Sequence, residues 1–203
     1  LPKYRGASPI HSALINGDVK TGNTITIMDA EMDHGPVLAT SEILIEATDD
    51  FKSLEKKMSE DGANLLVETL SGYLNGVIKP REQDHSLATY TKLISKEDGL
   101  INWQNSPERI FNQWRAYRNW PGVYSYFNDK NGKKIKVILN VIKKAPAVGA
   151  HEAGTIIFNQ GQMFIAVGEV SIEVVELTVE GKKTMSAKEF FNGYQYLNGQ
   201  RFV

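Results

Sequence analysis

The stretch Thr21–Leu38, TGNTITIMDAEMDHGPVL, constrains the fold of this chain more than any other. Asn23–Met28 reads as a strand that runs into an acidic loop, Asp29–Pro36. Gly35 and Pro36 break the strand, and Asp29, Glu31 and Asp33 stand at alternate positions in the loop. A second β-like run follows from Val37 to Ile45. Charged groups in a loop at the end of a strand are where open α/β sheets place their chemistry.

Three readings of the loop compete. The plainest is a solvated acidic turn. The second is a calcium loop, which needs Gly at the sixth place and Glu at the twelfth. Counted from Asp29, those places hold His34 and Thr40, and the reading fails. The third is a catalytic carboxylate, and residues outside the loop decide for it.

The 203 residues allow one large domain or two small ones. The chain has no cysteine, which excludes a disulfide framework, a thiolate metal site and a cysteine nucleophile. No signal peptide or long apolar run is present, so a cytoplasmic setting without a membrane partner is expected. The sequence begins without Met and in mid-motif, as a fragment or processed product would. The net charge of −1 hides an asymmetry. Residues 1–78 carry −6, residues 79–97 carry +1 and residues 98–203 carry +4. An acidic half joined to a basic half points to different partners for each, one of them a polyanion.

Ile10–Asn16 reads as a short helix and Asp49–Leu74 as the longest, capped by Thr48 or Asp49. The long helix carries an apolar stripe, Phe51, Leu54, Met58, Leu65, Leu66, Thr69 and Leu70, expected to pack on the sheet, with a break near Gly62. Residues 79–97 are polar with little apolar period and read as a linker, with His85 solvated in it. Ser106–Tyr117 is a third helix: Ser106 as N-cap, Pro107 first, Glu108 in the first turn. Its buried face is Ile110, Phe111, Trp114 and Tyr117, with Arg109, Arg115 and Arg118 outside.

From Val123 onward the pattern turns to strands, at Val123–Phe127, Lys133–Ile142, Gly154–Phe158, Met163–Val167 and Val170–Val179. The turn Asn128–Gly132 ends in Asn-Gly, which favours a hairpin. Ile135, Val137, Leu139 and Val141 alternate with polar residues and define an apolar face. Five short strands after a helix predict a small β-barrel of the oligonucleotide-binding type. A last helix, Ala187–Leu197, is capped by Ser186.

Several blocks, taken in order, carry a resemblance. They are Leu1–Ile10 (LPKYRGASPI), Asn16-Gly17-Asp18 with Thr21-Gly22-x-Thr24-Ile25, Met32-Asp33-x-Gly35-Pro36, Lys96–Trp103, Arg115-Ala116 with Trp120-Pro121-Gly122, and Gly181-Lys182-Lys183-x-Met185-Ser186-Ala187. Together they resemble the folate-dependent formyltransferase family, and within it the branch that formylates initiator methionyl-tRNA. The likeness covers almost the whole chain, although Arg118-Asn119 stand where the family usually has Asn-Pro. It implies an α/β-plus-β organisation: residues 1–78 as the C-terminal part of a Rossmann-like formyltransferase domain, 79–97 as the linker, and 98–203 as the barrel domain.

The resemblance also implies the chemistry. The family moves a formyl group from 10-formyltetrahydrofolate to an amine, without a metal, using an Asn, a His two residues later and a distant Asp. The Asp matches Asp33. No Asn-x-His occurs in these 203 residues, so this chain by itself is expected to be inactive. His34 sits where the family is variable, and neighbours on an extended segment point to opposite faces, so it reads as a loop residue. The folate side is assigned to Leu1, Pro2, Asp29 and Glu31. The tRNA side is assigned to Arg5, Lys134, Lys136, Lys182 and Lys183. For Lys182 and Lys183 a solvated turn before a helix remains an open reading. Two other functions stay in view: formyl transfer to an amino-sugar nucleotide, and a non-catalytic RNA-binding module. The Gly-Lys-Lys-x-Met-Ser-Ala block and the basic C-terminal half argue against the sugar.

Overall fold

The computed structural model describes residues 1–203 and divides them into two units, Leu1–Ile94 and Ser95–Val203. In the first unit the elements are β1 (Arg5–Gly6), α1 (Pro9–Asn16), β2 (Lys20–Thr21), β3 (Thr24–Thr26), β4 (Val37–Thr40), β5 (Ile43–Leu44), α2 (Phe51–Leu74) and β6 (Tyr90–Thr91). The long run expected from Val37 to Ile45 is thus two strands, each in its own antiparallel pair. β3 pairs with β4, and β2 pairs with β5.

Helix α2 starts two residues later than the sequence indicated. Asp50, not Thr48 or Asp49, is the N-cap. Its carboxylate accepts the Ser53 N–H at 3.0 Å and the Ser53 hydroxyl accepts the Asp50 N–H at 3.1 Å, a closed capping box. No break occurs at Gly62. A β-carbon there would lie 3.3 Å from the Asn23 carboxamide, so the glycine marks a close approach of strand and helix. Asn23 uses that approach: its Nδ2 donates to Met58 O and to Asp61 Oδ2, each at 2.8 Å. α2 packs on α1, β3 and β4. Leu54 and Thr69 are its buried residues, while Leu66 and Leu70 are exposed. The stripe is therefore core only in part. Helical period identifies an apolar face and says nothing about how much of it a short sheet can cover.

The segment after α2 is largely exposed, as a linker would be, but it also pairs back into the first unit. Arg81 bridges Val37, and β6 pairs in parallel with β1, Arg5 opposite Tyr90 and Gly6 opposite Thr91. Gln83 is buried. These residues find their partners far back along the chain, at Arg5–Gly6 and around Val37, and such pairing leaves no local apolar period to read.

The second unit contains α3 (Pro107–Tyr117), β7 (Tyr124–Asn128), β8 (Lys134–Pro146), β9 (Ile156–Asn159), β10 (Gln162–Val167), β11 (Val170–Val179), β12 (Thr184–Ser186) and α4 (Ala187–Tyr194). Ser106 caps α3 through the Arg109 N–H at 3.2 Å, with Pro107 and Glu108 where the sequence placed them. Arg115, expected outside, is buried with Ile110, Trp114, Ala116 and Tyr117, and its Nη2 donates to Asn112 Oδ1 at 2.8 Å.

The strands form one antiparallel sheet in the order β7-β8-β11-β10-β9, and β12, a strand the sequence did not indicate, adds to β11. The register slips twice along β8 and β11, between Val174 and Leu177. Burial along β8 accordingly runs Val137, Leu139 and then Ile142, not Val141, because the slip that leaves Asn140 unpaired on β8 shifts its two-residue alternation once. Phe127, Leu139, Ile156, Ile165, Leu177 and Phe190 are fully buried. Strand β10 is covered on both faces, and Phe164 and Ala166 join Ile157 in a separate cluster against Ala145 and Val148. The buried Trp103 indole satisfies its N–H on Ser125 Oγ at 3.0 Å. The residues after α4 return to the sheet. Ile156 donates its N–H to Gln200 O at 2.8 Å, Phe202 donates to Gly154 O at 3.0 Å and Val203 donates to Tyr126 O at 2.8 Å.

Candidate active site and basic face

The acidic loop connects β3 to β4. The Ile27 N–H closes its base on Pro36 O at 2.9 Å. Gly35 sits so near that a β-carbon would fall 1.8 Å from Ile27 O, a space no side chain can enter. The chain turns at Asp33, whose φ is 54°, in the left-handed region that Asp tolerates better than most residues. This turn aims the carboxylate at the start of the chain. Asp33 Oδ2 accepts the Gly6 N–H at 2.6 Å, a charge-assisted bond.

Asp33 lies on the wall of a cavity of about 740 Å³ together with Leu1, Lys3, Tyr4, Thr24 and Met58. That volume and mixed lining are typical of small-ligand sites. Beside it, Asp18 Oδ2 accepts from Lys3 Nζ at 3.0 Å and from the Tyr4 hydroxyl at 2.8 Å. The Asp18 hydrogen bond holds the Lys3 ammonium above its ordinary pKa.

The other assigned folate-side residues are placed differently. Leu1 lines the cavity, whereas Pro2, Asp29 and Glu31 are not part of its lining. Pro2 O accepts the Thr89 N–H at 3.3 Å. Asp29 is engaged within the loop, accepting from His34 Nδ1 at 2.7 Å and from the Glu31 N–H at 3.0 Å. These bonds, His34 first, hold its carboxyl below the usual range. Glu31 is exposed.

Arg5 departs most from expectation. It is 2% exposed, so it presents no guanidinium to a polyanion. Its Nη2 lies 2.6 Å from Gln83 Oε1 and 2.9 Å from His85 Nδ1, directly beneath the loop. Gln83 in turn donates to Asp33 O at 2.9 Å and to Gly35 O at 2.8 Å. His85 is exposed, as expected, and in addition stacks on His34 with ring centroids 4.0 Å apart. Reading from the sequence missed both Gln83 and His85. They are single polar residues in a polar run, and no spacing distinguishes them.

The assigned lysines lie in the second unit. Lys134 and Lys136 project from β8 over the rings of Tyr126 and Tyr124, at 4.3 and 3.6 Å from the centroids. Lys182 stands 5.1 Å from the Tyr194 ring, and Lys183 follows it on the exposed turn before β12. Lysines interleaved with aromatic rings are a surface that nucleic acid can use.

Residues 1–70 match the family described as formyl transferase, and residues 93–195 match the formyl transferase C-terminal domain. A methionyl-tRNA formyltransferase of Thermodesulfovibrio yellowstonii is 39% identical over 98% of this chain and 62% of its own length. That of Caldicellulosiruptor saccharolyticus is 40% identical over 98% and 63%. The chain thus spans about three fifths of the length of these curated relatives. Among solved structures, HypX from Aquifex aeolicus in complex with tetrahydrofolic acid is similar in fold, with a TM-score of 0.68, 16% identity, and coverage of 98% of this chain and 34% of HypX. An N-formyltransferase from Helicobacter canadensis, in complex with folinic acid and dTDP-3-aminofucose, has a TM-score of 0.66 at 17% identity, covering 86% of this chain and 62% of that one. With both domain families matched in order and relatives near 40% identity along nearly its whole length, this chain belongs to the formyl transferase family.

Proposed function

We propose that this chain contributes one catalytic carboxylate and an RNA-facing surface to transfer of a formyl group from 10-formyltetrahydrofolate to the amino group of initiator methionyl-tRNA. The observation that carries the reading is Asp33, turned by a positive φ onto the Gly6 amide at the wall of a 740 Å³ cavity. The cavity suits a small co-substrate, and the folate supplies the formyl carbon. Attack by an amine builds an oxyanion and an ammonium together. A carboxylate at that wall can take the ammonium proton, or keep a neighbouring imidazole charged so that it stabilises the oxyanion. Asp33 is one of three groups the reaction needs. Residues 1–203 contain no Asn-x-His, so on this reading they show only background transfer by themselves.

The second unit supports the RNA side. Its strand order and the bonds from residues 200–203 to Tyr126 and Gly154 fit a small oligonucleotide-binding-type barrel, and Lys182 and Lys183 are exposed on it. A translation substrate would place the protein in the cytoplasm, and no helix is long and apolar enough to cross a membrane.

The test joins this chain to an upstream segment carrying Asn-x-His and compares it with its Asp33→Asn variant. A loss of about 100-fold or more in turnover is expected, the low end for an acid–base group. An unchanged rate in folded protein would return the loop to a solvated turn. Assaying an amino-sugar nucleotide beside methionyl-tRNA separates the two acceptors, and preference for the sugar would overturn the tRNA assignment.

A further inference from the structure

The bonds around Asp33 close on themselves. Gly6 N–H donates to Asp33 Oδ2, Gln83 Nε2 donates to Asp33 O, and Arg5 Nη2 donates to Gln83 Oε1. Arg5 and Gly6 are consecutive, so one point of the chain holds Asp33 at both its carboxylate and its peptide group. Chemistry fixes the direction of every bond. A guanidinium only donates and a peptide carbonyl only accepts, so the Gln83 carboxamide has one orientation available. Gln83 and Arg5 are both buried, at 7% and 2% exposure, where an unmade polar bond is costly. Gln83 also holds Gly35 O, so its two bonds flank His34. The imidazole of His34 is braced by Asp29 on one side and on the other by the ring of His85, which itself meets Arg5 Nη2 at 2.9 Å. All of this surrounds a non-glycine residue at positive φ, a conformation that persists only where its surroundings impose it.

We propose that Arg5 and Gln83 are positioning residues, a buried clamp that sets the direction of the Asp33 carboxylate. The proposal rests on the catalytic reading of Asp33 above. The clamp acts through the backbone: without the two Gln83 bonds the loop is free to leave the left-handed turn, and the carboxylate leaves the Gly6 amide and the cavity wall.

Gln83→Glu is the discriminating change. It keeps the size and the acceptor facing Arg5, and it replaces the two donors with an oxygen that faces two carbonyls. Two readouts are needed. In the 203-residue chain, hydrogen exchange reports the Gly6 amide, which is bonded to Asp33, and the Arg5 amide, which is bonded to Thr89 O at 2.8 Å. Gly6 should exchange roughly tenfold faster in the variant, the scale of one lost hydrogen bond, with Arg5 unchanged. In the protein joined to its upstream segment, kcat should fall about 10- to 100-fold, the range lost when a reacting group is misplaced, while KM for the tRNA stays constant. The same change made in Asp33→Asn should then cost almost nothing further, because the clamp has no carboxylate left to aim. A purely structural glutamine would instead multiply its loss with that of Asp33→Asn.

Unchanged Gly6 exchange, or losses that multiply, would overturn the clamp. Absence of formyl transfer in the wild-type protein would overturn the catalytic reading alone, and Gly6 exchange would still decide the clamp. If Gln83→Glu unfolds the first unit by circular dichroism, Gln83→Met replaces it, with the same outcomes expected.

Discussion

Removing Lys182 and Lys183 together isolates the electrostatic part of RNA binding. The turn that carries them is closed by its own backbone, the Lys182 N–H donating to Val179 O at 2.9 Å, so Lys182→Ala with Lys183→Ala leaves the turn standing. Both side chains are exposed, and Lys182 reaches Tyr194 only at 5.1 Å. Lys136 would be a poorer probe, since it is half-buried over Tyr124 and its loss would disturb packing too. Each lost phosphate contact should flatten the plot of log affinity against log salt by about 0.7–0.9. Two contacts give roughly 1.4–1.8, so over a fourfold rise in salt the wild type should lose about 7- to 12-fold more affinity than the double variant. The assay is titration of labelled tRNA at several salt concentrations between about 50 and 200 mM, where this term is large. Parallel lines of equal affinity would refute the contact and leave these lysines as a solvated turn.

Two further outcomes test the fold that carries these sites. Phe190 is fully buried, edge-on to Phe127 and stacked on Tyr194 at 4.4 Å, so Phe190→Ala should cost the second unit about 3–5 kcal/mol in urea unfolding. A loss under about 1 kcal/mol would mean the ring is not core. Burial raises the Asp49 pKa, but bonds from Lys57 at 2.8 Å, from Ser53 and from the Glu46 amide outweigh it and hold the value below normal. A depressed carboxyl stabilises the fold above its unfolded pKa of about 4 and loses that contribution as pH falls through the folded value. The stability gap between wild type and Asp49→Asn should therefore be constant near neutrality and close below about pH 4. A gap that persists unchanged to pH 3 would exclude the ionised carboxylate as its cause.

What could be read from the sequence was local. Ser106-Pro107 announced α3 to the residue, Val170–Val179 matched its strand at both ends, and Asn131-Gly132 marked the hairpin. Asp33 stood out because the loop around it is punctuated by Gly35 and Pro36. What could not be read was long-range. Gln83 takes its meaning from Asp33 and Arg5, 50 and 78 positions away, and a lone glutamine carries no pattern that predicts either. Arg5 illustrates the converse error. The resemblance placed it on the tRNA side, and only the structure shows its guanidinium buried against the Gln83 carboxamide. The stripe on α2 failed for a third reason: period shows which residues share a face, and the covering depends on elements elsewhere.

The return of residues 200–203 to the sheet has a consequence for solubility. β7 and β9 are the ends of the strand path, and an open strand end is a template onto which another chain can add. Phe202 and Val203 bond to Gly154 and Tyr126, and Gln200 to Ile156, so a few residues occupy hydrogen-bonding groups at both ends at once. Phe202 is itself buried, its ring stacked on Trp103 at 5.5 Å. Trimming the chain back to Leu197 would therefore do more than shorten it. It would uncover two sticky borders and a buried aromatic surface together, and self-association would replace simple loss of a terminus as the outcome.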